Sequence, residues 1–198
     1  MRTIWLIIFF SVLIWSGINP KDQFTWLLEV LPALIGIIIL TFTYNRFRLT
    51  TLAYILILIH SIILMVGGHY TYAEVPLFDW LKDVLELKRN NYDKIGHLAQ
   101  GFIPAIIARE ILIRKSVVPD KGWLNFIIIC ICLAISAFYE LIEWWVAVLS
   151  GESAEAFLGT QGYVFDTQSD MFLALLGSII ALILLARMHD KQLEEINS

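Results

Sequence analysis

Six ionisable side chains recur at helical spacing in the second half of the 198-residue chain. Asp93 and His97 stand four residues apart, Glu140 and Glu143 three apart, and Asp166 and Asp170 four apart, so each pair shares one face if its segment is a helix. Carboxylates beside an imidazole form a donor set for divalent cations; crowded carboxylates can instead share a proton. His97 is a candidate ligand or proton shuttle, and His69 is a further candidate ligand. The expected catalytic set is therefore Asp93, His97, Glu140, Glu143, Asp166 and Asp170. The expected ligand set for a divalent metal ion is His69, Asp93, His97, Glu140, Glu143 and Asp170. No serine elbow, phosphate loop or Cys/His nucleophile pair accompanies them, so these residues name no reaction.

Each pair also has a plainer use. Asp93 precedes one apolar stretch and Asp166 or Ser169 another, positions where an oxygen caps free N–H groups and a negative charge suits the helix dipole. Capping cannot account for Glu140 and Glu143, although ion pairs with Lys94 or Arg89 can. A shared polar site is the favoured reading, because ionisable groups inside a membrane are costly unless they face a bundle interior or a wet cavity. His60, alone on an apolar stretch, reads as a packing residue, and Arg109-Glu110 as a local ion pair. Trp26, Trp80, Trp144 and Trp145 read as interfacial aromatics.

The elements that must position these residues follow from composition. Hydrophobic residues make up 59% of the chain and charged ones 16%, against about 45–50% and about 25% in soluble domains. Six apolar stretches stand out: Ile4–Ile18, Trp26–Tyr44, Leu49–Gly67, Ile95–Ile113, Trp123–Leu149 and Met171–Arg187. Most approach the roughly 20 residues that cross a hydrocarbon core. The predicted fold is all-α, a single polytopic membrane domain of six transmembrane helices. Bulky Trp15 and Ile14 near the end of the first stretch argue for an uncleaved helix rather than a signal peptide. Cys130 and Cys132, two residues apart, point to different sides of their helix and form neither a pair nor a metal knuckle. With a net charge of −4 there is no basic footprint for nucleic acid, and membrane lipids are the expected partners.

A cytoplasmic N-terminus puts Arg2, Arg46, Arg48, Arg109, Arg114, Lys115, Lys121, Arg187 and Lys191 inside. Lys21, Lys82, Lys88, Arg89 and Lys94 are then outside, which satisfies the positive-inside rule with both termini cytoplasmic. The outer side then carries thirteen acidic residues and the inner side five, so the net charge conceals an acidic outer face. In this arrangement His69, Asp93, His97, Glu140, Glu143, Asp166 and Asp170 fall at one level. Glu140 lies 17 residues beyond Trp123, about 25 Å along the helix, and Glu29 reaches a similar depth. Between the third and fourth stretches, Leu77, Leu81, Val84, Leu85 and Lys88 recur at helical spacing and predict a short helix on the outer membrane surface. Ser150–Ser169 reads as a lid, and Met188–Ser198 as a short polar tail. Gly96, Gly101, Ala174, Gly177, Ser178 and Ala181 predict close helix contact through small residues.

Four segments carry a resemblance: Gly68 through Pro76, Asn91-Tyr92-Asp93-Lys94-Ile95-Gly96-His97, Tyr139-Glu140-Leu141-Ile142-Glu143-Trp144-Trp145, and Gly159 through Gly162 with Asp166 through Met171. They resemble the YjdF family of bacterial inner-membrane proteins over most of the chain after Gly67, which implies a location and no particular reaction. Tyr163 stands where that family tends to carry an acidic residue. A remoter resemblance is to VanZ-like membrane proteins. It rests on Asp93, Lys94 and His97, then Glu140 or Glu143, then Asp170 and Gly177, with Ala174 where those proteins often carry Asn. That resemblance implies cell-envelope physiology.

Three functions follow in order. The first is a metal-assisted envelope enzyme acting on a lipid or lipid-linked headgroup. The second is a non-catalytic module that binds lipid or a partner. The third is a small proton-coupled transporter, ranked last because the inner half offers mainly Arg109 and Glu110 and no helix shows paired Gly/Pro breaks.

Overall fold

Long apolar runs fold as helices in hydrocarbon because each segment must satisfy its own backbone N–H and C=O groups. The computed structural model describes residues 2–150 and 161–197. Among them the chain forms α1 (Arg2–Gly17), α2 (Gln23–Thr43), α3 (Thr51–Tyr70), α4 (Pro76–Val84), α5 (Tyr92–Arg114), α6 (Lys121–Ser150) and α7 (Asp166–Asn197), and no strand. Four of these, α2, α3, α6 and α7, are long and apolar enough to cross a membrane. α1 is apolar but has 16 residues. α5 has 23 residues and carries Asp93, Lys94, Arg109, Glu110 and Arg114 near its ends.

The burial pattern is that of a protein with an apolar surround. Phe42, Leu149 and Ile183 are 78%, 86% and 73% exposed, whereas Glu110 and His189 are fully buried and Asp170 nearly so. α5 sits centrally against α3, α6 and α7, while α1 and α2 pack on α3. A core of Leu52, Leu56, Ile103, Ile106, Leu124, Ile128 and Cys132 fills the middle of the α3, α5, α6 and α7 group. The expected small-residue contact joins α5 to α7: a Cβ at Gly101 would collide with the carbonyl of Ala174, and one at Gly177 with the carbonyl of Leu98. Backbones can approach this closely only where side chains are missing.

Opposite ends of α5 are tied by different chemistry. At the Glu110 end, Thr50 donates through its N–H (3.0 Å) and its hydroxyl (2.7 Å) to the Glu110 carboxylate. His189 Nε2 stands 3.1 Å from Glu110 Oε2, and Arg109 lies 3.1 Å from His189 Nδ1 and 2.6 Å from Asp190. The residues expected to form a local ion pair are therefore part of a buried network spanning three helices. The stretch expected as a polar tail is also different: α7 continues through it to Asn197, with His189 and Leu193 buried. Their four-residue spacing continues the packed face of α7 after hydropathy has fallen.

At the His97 end, the ring of Tyr72 occupies the space left by Gly67 on α3 and Gly96 on α5. Tyr72 itself has a positive φ of 53° in the turn that follows α3. The surface helix is nine residues, shorter than its periodicity suggested, and ends at Val84. Leu77, Trp80 and Val84 on it are 57–61% exposed. Half of the expected lid, residues 151–160, lies outside the described residues.

Candidate functional site

Asp93 enters the site because α5 begins at Tyr92, and His97 follows one turn later on the same face. The close α5–α7 contact brings Asp170 opposite them, and α6 supplies Glu140 and Glu143. His97 Nε2 lies 3.2 Å from Asp93 Oδ1 and 3.9 Å from Asp170 Oδ2, and Nδ1 lies 3.8 Å from Glu140 Oε1. Two overlapping groups result, Asp93–His97–Asp170 and His97–Glu140–Glu143, each with one donor atom per residue within 4.8 Å of the others.

The aspartates are divided between two tasks. Asp93 turns Oδ1 to His97 and Oδ2 to Arg89 at 3.3 Å and Lys94 at 3.7 Å. Asp170 turns Oδ2 to His97 and Oδ1 to Lys94 at 2.6 Å. Asp166 faces the cations alone, with Arg89 at 2.6 Å and Lys94 at 2.9 Å. Asp93 does not take the N-cap place of α5, which falls to Asn91 without a side-chain cap bond, and Asp166 is the first residue of α7, its carboxylate turned to Arg89 and Lys94. The cations thus orient the aspartates, and the ion pairs expected as one use of Glu140 and Glu143 go to Asp93, Asp166 and Asp170 instead. Glu140 is buried, and its Oε1 accepts no hydrogen bond among the described residues.

His69 is not brought to this cluster. Its Nδ1 stands 3.0 Å from the Ser16 carbonyl and its ring lies against Trp15, so it joins the ends of α3 and α1.

A cavity of about 140 Å³ opens beside His97, lined by Asp93, Gln100 and Gly96 of α5, Tyr139 and Glu143 of α6, and Glu29, Tyr72 and His60. That is room for several waters or a hydrated ion. Several of these residues escaped the sequence reading. Glu29 accepts from the Tyr139 hydroxyl at 3.2 Å; its depth was visible, its partner 110 residues away was not. His60, read as packing, faces the cavity. Pro32 and Pro104, interior to α2 and α5, line it too, and a proline there frees the carbonyl four residues earlier. Gln161 brackets the Asn90 peptide, accepting from its N–H at 3.0 Å and donating to its C=O at 2.9 Å. Tyr163 lies 5.7 Å from both Arg89 and Lys94 across its ring. The described end of the expected lid therefore covers the ion pairs.

Gln100 Oε1, 3.2 Å from His97 Nδ1, suits an Nδ1–H donor. That tautomer leaves the Nε2 lone pair facing Asp93 and Asp170, the arrangement by which an outer hydrogen bond orients a ligating imidazole. Donors about 2.1 Å from a shared ion sit roughly 3–3.5 Å apart; His97 and Asp93 stand at 3.2 Å, with Glu140 and Asp170 farther from the imidazole at 3.8 and 3.9 Å.

The model of a family described as "Predicted membrane protein (DUF2238)" matches residues 1–191. The chain belongs to that family. A relative, "Inner membrane protein YjdF" of Escherichia coli (strain K12), is 53% identical over 182 residues, covering 92% of this chain and 87% of the relative. The resemblance to the YjdF family is thus shown, and the DUF2238 description agrees with the long apolar helices. No solved structure matches the chain.

Proposed function

We propose that the chain is a six-span inner-membrane protein with both termini cytoplasmic, and that its outward-facing chamber holds a divalent cation for chemistry on a lipid or lipid-linked headgroup. The observation that carries this reading is the Glu140 carboxylate: buried, with Oε1 accepting no hydrogen bond among the described residues and 3.8 Å from His97 Nδ1. A buried acceptor left without a partner is costly, and a cation or a proton removes that cost. His97 with Asp93 and Asp170, or with Glu140 and Glu143, supplies the donors, while Arg89 and Lys94 hold the aspartates in place. A bound cation would polarise a phosphoryl or carbonyl oxygen of the headgroup.

The test is metal analysis and calorimetry with Mn²⁺ and Zn²⁺ on purified protein, beside lipid profiles of deletion, wild-type and Glu143→Gln strains. Stoichiometric metal that is lost in Glu140→Gln and His97→Ala, with an altered lipid profile in Glu143→Gln, is expected. No bound metal, with every envelope property intact in those variants, overturns the reading. Reporter fusions at the C-terminus and between α6 and α7 test the orientation; a cytoplasmic signal from the latter refutes the outward-facing chamber.

The pairing of Arg89 and Lys94 with Asp93, Asp166 and Asp170 favours one second reading, a non-catalytic module that binds lipid or a partner. There the same substitutions lower thermal stability and leave the lipid profile unchanged.

A further inference from the structure

Away from the chamber, at the Glu110 end, α1 and α2 part. Both pack on α3, with little backbone approach to each other, and are joined at the His97 end, where Trp26 Nε1 donates to Ser16 Oγ at 3.1 Å. The gap between them holds a cavity of about 300 Å³ walled by Trp5, Leu6, Phe10, Ile37 and Leu40. Arg2 and Arg48 stand at its mouth, their guanidinium groups 4.7 and 5.7 Å from the centroid of one ring, that of Tyr44. Neither arginine forms a salt bridge among the described residues. Tyr54 also lines the cavity, and its buried hydroxyl donates to no acceptor there.

We propose that this crevice binds an anionic phospholipid from the adjacent leaflet, one acyl chain between α1 and α2 and the phosphate between Arg2 and Arg48. Two like charges gathered at one aromatic ring are favourable when an anion joins them, and a phosphate accepts the planar donors of both guanidinium groups. From Arg2 to Phe10 the wall rises about 12 Å, close to half of the roughly 30 Å hydrocarbon thickness. The surround is apolar: Ile4, Ile7, Ile38 and Phe42 are 54–78% exposed on the same two helices. This site stands apart from the His97 chamber and does not rest on the reading given to it.

The test uses full-length protein in a mild non-ionic detergent, titrated with dioleoylphosphatidylglycerol or dioleoylphosphatidylcholine and followed by native mass spectrometry and thermal melting. Glycerol 3-phosphate and inorganic phosphate serve as headgroup-only probes. A one-to-one phosphatidylglycerol adduct, bound roughly tenfold or more tightly than phosphatidylcholine, is expected. The paired change Arg2→Gln with Arg48→Gln should remove that preference while leaving the lipid-free melting point unchanged, since both side chains are exposed. Leu40→Trp, which fills the crevice, should weaken both lipids, and Arg46→Gln, outside it, neither. Equal binding of the two lipids by the wild type, loss with Arg46→Gln as large as with the paired change, headgroup probes competing as well as the lipid, or a dimer that carries no lipid would each overturn the proposal.

Discussion

Lys94 holds together more of the acidic chamber than any other cation whose contacts are described: its ammonium reaches Asp170 at 2.6 Å, Ser169 at 2.7 Å and Asp166 at 2.9 Å. Replacing it by methionine leaves those carboxylates buried with less compensation, at a cost of about 3 kcal/mol. Lys94→Met is therefore expected to lower the melting point of metal-free protein, and millimolar Mn²⁺ to restore part of it, by melts with and without the cation. A melting point indifferent to the substitution would show that the ammonium is not what balances these acids. At this scale, the sequence made legible what lies within one turn: Asp93 with His97, Glu140 with Glu143. Partners distant in sequence were hidden, as with Tyr139 and Glu29 or Gln161 and Asn90, because only the folded bundle sets those distances. His69 was misjudged by depth alone: level with the others, it faces Ser16.

Among the elements, α5 and α7 depend on absent side chains. Gly177→Leu would drive a branched side chain into the Leu98 carbonyl, and overpacking of this kind costs about 1–3 kcal/mol or more. It should lower the melting point and, by moving Asp170 away from His97, weaken metal binding as well. Gly36→Leu, where a Cβ meets nothing within 4 Å, should do neither. A second element-level expectation concerns the start of α2. Asp22 caps it, and the Thr25 N–H at 2.6 Å holds its carboxyl below the ordinary value of 3.8. The capping stability is thus present above that ordinary value and lost as pH falls through the lower, folded-state one. Asp22→Ala should cost about 1 kcal/mol at neutral pH, with the gap to wild type closing in melts taken below pH 4. Apolar stretches revealed the long helices because backbone self-satisfaction leaves little alternative. They misplaced the end of α7, where packing of His189 and Leu193 continues under a polar exterior.

For the whole molecule, the buried polar networks lie at both ends of α5 with an apolar core between them. Truncating the chain after Arg187 removes His189, Asp190 and Gln192, which contact Glu110, Arg109 and the Leu52 N–H. A buried carboxylate that loses its partner costs about 3–5 kcal/mol, so the truncated protein should melt far lower, and Glu110→Gln should recover part of that loss. Fluorescence-detected melting of the three proteins side by side is the measurement; a truncation without effect would make the tail dispensable. Composition had already announced a membrane protein. The interior polarity at the Glu110 end was invisible to it, since Arg109-Glu110 gains its meaning only from a histidine about 80 residues later.

The two networks also fix the register of α5 against α7. Lys94 meets Asp170 at one end while Glu110 meets His189 at the other. Sliding either helix by one turn, about 5.4 Å, would unpair both ends at once, and the glycine contacts midway would meet larger neighbours. Of the helix motions proteins use, a piston or ratchet stroke is thereby closed to this pair. Any working movement is then left to the helices that pack on this pair, α3 and α6, so the α5–α7 side of the chamber behaves as a fixed wall facing a movable one.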